Sequence, residues 1–143
     1  MPKLIVKNKF AKSDYEIHST YEAGISLFGW EVKSLRAQNV KLDNAFCYID
    51  KGNELWLNNV HIAQYMLVKG DLNRSRKLLM HKREILRIKN IVERLSLIII
   101  PISMYWINNH IKIEIALAKK LKKYDKREKI KQEDLKRKIN NMY

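Results

Sequence analysis

The sequence predicts a mainly β, antiparallel fold with a few α-helices and a basic C-terminal tail, and three observations carry that prediction. Two stretches read as β-hairpins and a third alternates polar and apolar side chains as a half-buried strand does. The last 25 residues hold too few apolar groups to offset the entropy of ordering them. At 143 residues the chain fits one domain, divided into a body over 1–118 and a tail over 119–143 that is expected to be disordered when free.

Residues 1–13 are polar, basic and irregular, and no element is assigned to them. Tyr15, Ile17, Ser19 and Tyr21 then alternate with Asp14, Glu16, His18 and Thr20, the period of a strand with one face buried. Gly24 and Gly29 punctuate its far end, and WEVKSLRAQ places Val32 and Leu35 at helical spacing, which predicts one short helix. AFCYIDKGNELWLNNVHI reads as two strands around an Asp50-Lys51-Gly52-Asn53 turn. YMLVKGDLNRSRKLLM joins a loop rich in Gly, Asp and Asn to a short apolar run, Leu78 to Met80. In HKREILRIKNIVERL, Ile85, Ile88, Val92 and Leu95 form one stripe while Lys82, Arg83, Lys89 and Glu93 lie elsewhere on the wheel, the pattern of an amphipathic helix packed on a core. SLIIIPISMYWINNHIKIEIALA closes the body as a second hairpin: an apolar run, an Asn108-Asn109 turn, then Ile111, Ile113, Ile115 and Leu117 alternating with Lys112, Glu114, Ala116 and Ala118. Strands joined by hairpins and interrupted by one helix suit a small curled antiparallel sheet, either a barrel of the oligonucleotide-binding type or a half-open α+β sandwich.

The net charge of +14 divides evenly, because the tail alone carries 11 basic and 4 acidic residues. An excess this large attracts polyanions, chiefly nucleic acid or an anionic membrane surface. Met1 and Pro2 lead into no apolar stretch of the signal-peptide kind, and the run from Leu97 to Ile107 is too short to span a bilayer and contains Pro101. A soluble cytoplasmic protein with no membrane partner is therefore expected, and the lone Cys47 agrees with a reducing compartment.

No constellation points to catalysis. His18, His61, His81 and His110 have no Cys or carboxylate at metal-ligand spacing, and the glycines at 24, 29, 52 and 70 match no phosphate-loop pattern. Cys47, between Phe46 and Tyr48, reads as a packing thiol, and nothing in the sequence clusters Glu22, Glu31 and Asp43. No enzymatic activity, metal or other cofactor is expected. Binding features are stronger. Arg74, Arg76 and Lys77 form RSRK, which runs into Leu78, Leu79 and Met80 and then His81-Lys82-Arg83. Basic residues flanking a short strand suit phosphate contacts, with Leu79 or His81 to pack against a base or sugar and Tyr15 and Tyr21 as candidate stacking platforms.

Four segments together resemble a known family: NKFAKSDYEI (Asn8 to Ile17), YEAGISLFGWEVKSLRA (Tyr21 to Ala37), RSRKLLMHKREI (Arg74 to Ile85) and YDKREKIK (Tyr124 to Lys131). They resemble the SsrA-binding protein family, also called small protein B, the bacterial protein partner of transfer-messenger RNA. The resemblance implies an antiparallel barrel like the oligonucleotide-binding fold, one face of which holds the transfer-RNA-like domain of that RNA. It also implies delivery of the RNA to stalled ribosomes, without catalysis or cofactor, by a protein expected to be a monomer. Asn8, Tyr15, Glu22, Leu79 and His81 would lie on the RNA-binding face, joined by Arg74, Arg76 and Lys77. Asp125, Lys126 and Arg127 would begin the tail that reads the ribosome's decoding region and empty messenger channel, with Lys119, Lys122, Lys123, Leu135 and Met142 completing the set.

The tail then has a physical rationale. A segment that cannot fold alone stays an extended polycation until a tunnel lined with phosphates supplies charge and walls for a helix. As a helix, residues 125–143 would reach about 28 Å at about 1.5 Å per residue. Two other readings fit a basic chain: a structural protein of the ribosome with its tail permanently ordered in ribosomal RNA, and a nuclease with an unrecognised carboxylate site. Constant co-sedimentation with ribosomes would mark the first, and magnesium-dependent RNA cleavage the second.

Overall fold

The computed structural model of the protein describes residues 3–9, 11–63, 74–122, 127, 131, 132 and 134–137. Among the described residues, apolar side chains in the body build nine strands, β1 (Lys3–Lys7), β2 (Tyr15–Ile25), β3 (Val40–Lys41), β4 (Phe46–Ile49), β5 (Leu55–Asn58), β6 (His61–Ile62), β7 (Arg76–Leu79), β8 (Ile98–Ile107) and β9 (His110–Lys120). Three described helices accompany them, α1 (Ala11–Asp14), α2 (Gly29–Arg36) and α3 (Lys82–Leu95). The main sheet runs β1-β8-β4-β5-β7-β2-β9, and a further pairing of β8 with β9 closes six of its strands into a ring. This is the antiparallel barrel rather than the half-open sandwich. β1 lies outside the ring on the edge of β8, opposite Ser103 to Trp106, and β3 with β6 forms a separate two-stranded ladder.

Both predicted hairpins form. Asp50 holds the first, its carboxylate accepting the Glu54 backbone N–H at 2.9 Å and the Trp56 indole N–H at 2.8 Å. These bonds, the backbone one first, hold the Asp50 carboxyl below the usual carboxylate range. Asn53 and Asn108 turn the two hairpins with φ of 60° and 55°, the left-handed region that asparagine tolerates best after glycine.

Closing a six-stranded ring demands sharp bending, and one-residue bulges supply it. One falls in β2 between Ile17 and Ser19 and another in β8 between Pro101 and Ser103. Each reverses the face that later residues present. Ile99 and Met104, of opposite parity, both reach the barrel core with Ile113, Ile115 and Leu117. In β2 the uniform alternation expected from Tyr15 to Tyr21 is broken: Tyr15 and Ile17 pack on an outer cluster of Ala11, Ile100, Ile102, Ala116 and Ala118, whereas Tyr21 packs on the barrel core.

α3 packs Ile85 and Ile88 into the barrel core, each worth about 1.5–3 kcal/mol by burial, while Leu95 at the end of the predicted stripe is exposed. The first 13 residues, expected to be irregular, contain β1 and α1. Ile5 reaches the core and Ala11 the outer cluster, and that burial fixes a segment too short and charged to be read from periodicity. β9 continues to Lys120, two residues past the expected end of the body, because Lys119 and Lys120 pair with Glu16 and Tyr15. Beyond it, residues 121 and 122 are in neither helix nor strand, residues 127, 131, 132 and 134–137 have helical backbone, and Leu135 is 59% exposed.

Candidate functional site

Among the described residues, a buried set of charges lies where α2 meets β7. Glu31, in the first turn of α2, is fully buried, and its Oε2 accepts from Arg76 Nε at 2.6 Å and Nη2 at 2.5 Å. Its Oε1 accepts the Phe28 backbone N–H at 2.8 Å and also pairs with Arg74 Nη2. Arg76 Nη1 donates to the carbonyls of Val60 at 3.0 Å and Arg74 at 2.9 Å, and the Arg74 guanidinium lies 4.0 Å over the Phe28 ring.

Two expected phosphate contacts are corrected here. Arg76 has 0% exposure: in β7 it points the same way as buried Leu78, so its charge is spent inside on Glu31. Arg74 is mostly covered and held by the same carboxylate. Asn8 is likewise 5% exposed; its Nδ2 donates to the Pro101 carbonyl at 3.0 Å and its N–H to Ile102 at 2.7 Å, which anchors the end of β1 at the β8 bulge. Tyr15 stands seven residues along β2 from Glu22, on the outer cluster.

The outward residues of the same strands do meet. A groove of about 550 Å³ is lined by Glu22 and Gly24 of β2, Lys77 and Leu79 of β7, His81 and Lys82 at the start of α3, and Lys112 of β9, among others. Gly24 pairs with Leu79, and a Cβ there would stand 3.3 Å from the Leu79 Cβ, so the glycine gives the leucine room. Leu79 remains 53% exposed, so an aliphatic surface is open to contact among these charges. Lys77 pairs with Glu54 at 3.1 Å across the exposed rim, a contact weak enough to exchange for a stronger anion. His81 precedes α3 without a side-chain cap, and the free N–H groups of the helix start favour negative charge on that side of the groove.

Glu22 is exposed and accepts the Tyr105 hydroxyl at 2.7 Å. Glu114 stands opposite it across β2 and β9. Burial first, and then the bond to Glu22 and the charges of Glu22 and Glu114, push the Tyr105 phenol well above the ordinary tyrosine range. Cys47 is buried and its thiol is also pushed up by burial, so it stays protonated and packs. Among the described residues no three His, Cys, Asp or Glu side chains gather as metal ligands, and no helix is long and apolar enough to cross a membrane.

Of the expected site residues, the structure therefore brings together Glu22, Lys77, Leu79 and His81. Sequence reasoning missed Gly24, Lys112 and Tyr105 as parts of this surface. The Asn108 turn sets Tyr105 opposite Lys112, a register that counting from the turn would have found. Of the tail set, Lys119 belongs to β9, Lys122, Arg127 and Leu135 are exposed, and Lys123, Asp125, Lys126 and Met142 lie outside the described residues.

A model of the family described as SmpB protein matches residues 5–143. The chain is 52% identical over 143 residues to the SsrA-binding protein of Mycoplasmopsis pulmonis (strain UAB CTIP), covering 99% of this chain and 98% of that one. It is 47% identical to the SsrA-binding protein of Persephonella marina (strain DSM 14350 / EX-H1), covering 99% and 94%. A chain from the solved structure "tmRNA-SmpB: a journey to the center of the bacterial ribosome" is 38% identical and superposes with a TM-score of 0.70 over 87% of this chain and 93% of that one.

The Glu22–Tyr105 bond gives a direct test of the groove's geometry. In Glu22→Gln the phenol loses a charged acceptor but keeps its burial, so its titration moves down toward the ordinary tyrosine value without reaching it. An NMR titration of a ring-labelled Tyr105 reads this shift, and an unchanged midpoint would mean that the two groups do not meet.

Proposed function

The chain belongs to the SmpB protein family, and on that premise we propose that it is a noncatalytic RNA-binding adaptor. It binds the transfer-RNA-like domain of transfer-messenger RNA and brings it to stalled bacterial ribosomes for trans-translation. The names of its relatives and the solved tmRNA-SmpB neighbour support the RNA and the ribosome as partners. One observation within the chain carries the reading: the meeting of exposed Leu79 with Glu22, Lys77, His81 and Lys112 in one groove of a basic barrel.

The mechanism follows from what each group does. Lys77 and Lys112 neutralise phosphates and release their counterions, which supplies affinity without sequence information. Leu79 and the His81 ring offer flat contact to a base or sugar of a splayed nucleotide. Glu22, acid in a basic surface, weakens nonspecific attraction and accepts hydrogen bonds from base amino groups or ribose hydroxyls, so it favours one RNA shape over others. Arg76, buried with Glu31, contributes by holding β7 in place.

The tail supplies the second contact. Residues 125–143 enter the vacant messenger channel as a basic helix, with Ile130, Leu135, Ile139 and Met142 as its apolar stripe. An exposed Leu135 in helical backbone supports this reading, since in the body no described element covers it. Occupied messenger would compete for the same space, so rescue is confined to ribosomes whose channel is empty.

Two measurements test the two contacts separately. Glu22→Ala and Leu79→Ala are each expected to weaken binding to the transfer-RNA-like domain by about 1–3 kcal/mol in a salt-matched titration, with the fold intact. Wild-type affinity in both variants would remove the groove from the interface. Leu135→Pro costs about 3 kcal/mol in a helix and almost nothing in an extended chain. It is expected to leave RNA binding unchanged yet abolish tagging of a nascent chain made from a message without a stop codon, while Leu135→Ala stays mild. Normal tagging by the proline variant would mean that the tail acts as an extended polycation.

A further inference from the structure

A second groove, of about 750 Å³, opens where the end of α2 meets β1 and the β8–β9 turn. Lys3, Arg36, Gln38, Trp106, Asn108 and Asn109 supply its polar and aromatic lining, and no carboxylate lines it among the described residues. That sets it apart from the first groove, where Glu22, Glu54 and Glu84 offset the lysines. The Arg36 guanidinium is exposed and lies 5.5 Å from the centre of the half-buried Trp106 ring. A guanidinium within cation–π range of an indole sets a positive charge beside an aromatic face, which suits a base on the face and a phosphate at its edge.

The two grooves are continuous. A smaller hollow of about 250 Å³ between them shares Gly24, Leu79 and Lys112 with the first and Trp106 and Asn109 with the second. Strand register gives the span: Leu79 pairs with Gly24, Gly24 with Lys112, and Lys112 with Tyr105, the neighbour of Trp106. Three strand spacings of about 4.8 Å separate Leu79 from Tyr105 by about 14 Å, the reach of a few nucleotides.

We infer that the Arg36–Trp106 groove is a second RNA subsite, which takes an unpaired base against the arginine–indole pair and the adjoining phosphate on Lys3. This deepens the RNA-binding reading of the first groove and rests on it. Unpaired nucleotides fit better than duplex, because a stacking platform needs a free base face, and base pairing within a helix hides it. Gln38, Asn108 and Asn109, all exposed, add amide donors and acceptors that suit base edges and ribose hydroxyls.

The test titrates full-length protein with two probes at one salt concentration: a fluorescein-labelled mixed-sequence single-stranded hexaribonucleotide, and the transfer-RNA-like domain. Arg36→Gln and Trp106→Leu are expected to weaken hexamer binding about tenfold each, a loss of about 1.4 kcal/mol. Trp106→Phe, which keeps an aromatic face, and Lys51→Gln, an exposed charge at the β4–β5 turn, are expected to stay within about twofold, a difference well below one lost stacking contact. Arg36 is exposed, so its variant keeps the test valid if Trp106→Leu lowers the melting temperature. Wild-type hexamer binding by Arg36→Gln would overturn the subsite, as would equal losses in Trp106→Phe and Trp106→Leu. If Leu79→Ala still weakened binding of the transfer-RNA-like domain, the first groove would stand without the second. If Leu79→Ala and Glu22→Ala also left that domain's binding unchanged, the RNA-binding reading of both grooves would fall.

Discussion

The fold depends on one buried carboxylate. The Glu31 carboxylate is fully buried, and two arginines 43 and 45 residues later, Arg74 just before β7 and Arg76 within it, make that tolerable. Pairing of this kind adds little net stability over a well-packed apolar cluster, but losing one partner leaves an uncompensated buried charge and costs about 3–5 kcal/mol. Its consequence is positional. The pair fixes α2 against β7, and because alternate residues of a strand face opposite sides, Arg76 and Leu78 inward means Lys77 and Leu79 outward. The exposed leucine that marks the first groove is therefore held in place by an ion pair on the other side of its own strand.

The same constraint explains what the sequence could and could not convey. The hairpins around Asp50 and Asn108 and the helix from Lys82 were legible because turn chemistry and periodicity are local. The RSRK motif was legible as basic but not as two environments, since the partner of Arg76 lies far off in sequence; the parity of buried Leu78 was the available clue. β1 and the two-residue strands β3 and β6 left no periodic signal, because their place is set by pairing with distant segments. The bulges at Ile17 and Pro101 broke the even alternation on which one-face reasoning relies, and so sent Tyr15 to a different surface from Tyr21.

Of the expected site, the part carried by strand parity and turn register was readable in principle, and the part carried by long-range strand pairing was not. Pairing of β2 with β9, about 90 residues on, brings Lys112, and with it Tyr105 from the β8–β9 hairpin, beside Glu22 and Leu79. A basic composition predicted attraction to a polyanion, but the distribution of charge, with acidic Glu22 in one groove and a neighbouring groove that no described carboxylate lines, is a property of the folded sheet. Body and tail also divide differently from their charge: the strand carries Lys119 and Lys120, and the tail begins where pairing with β2 ends.

A thermodynamic cycle on Glu31 and Arg76 tests most directly whether this buried pair governs the fold. Urea unfolding of the wild type, Glu31→Gln, Arg76→Met and the double variant reads the coupling between them. The account predicts that the two single losses are strongly non-additive, with the double variant recovering about 2–3 kcal/mol of their sum, because the second change removes the charge that the first left stranded. Losses that simply add would mean that the two side chains are held independently, and β7 would then owe its position to the apolar core alone.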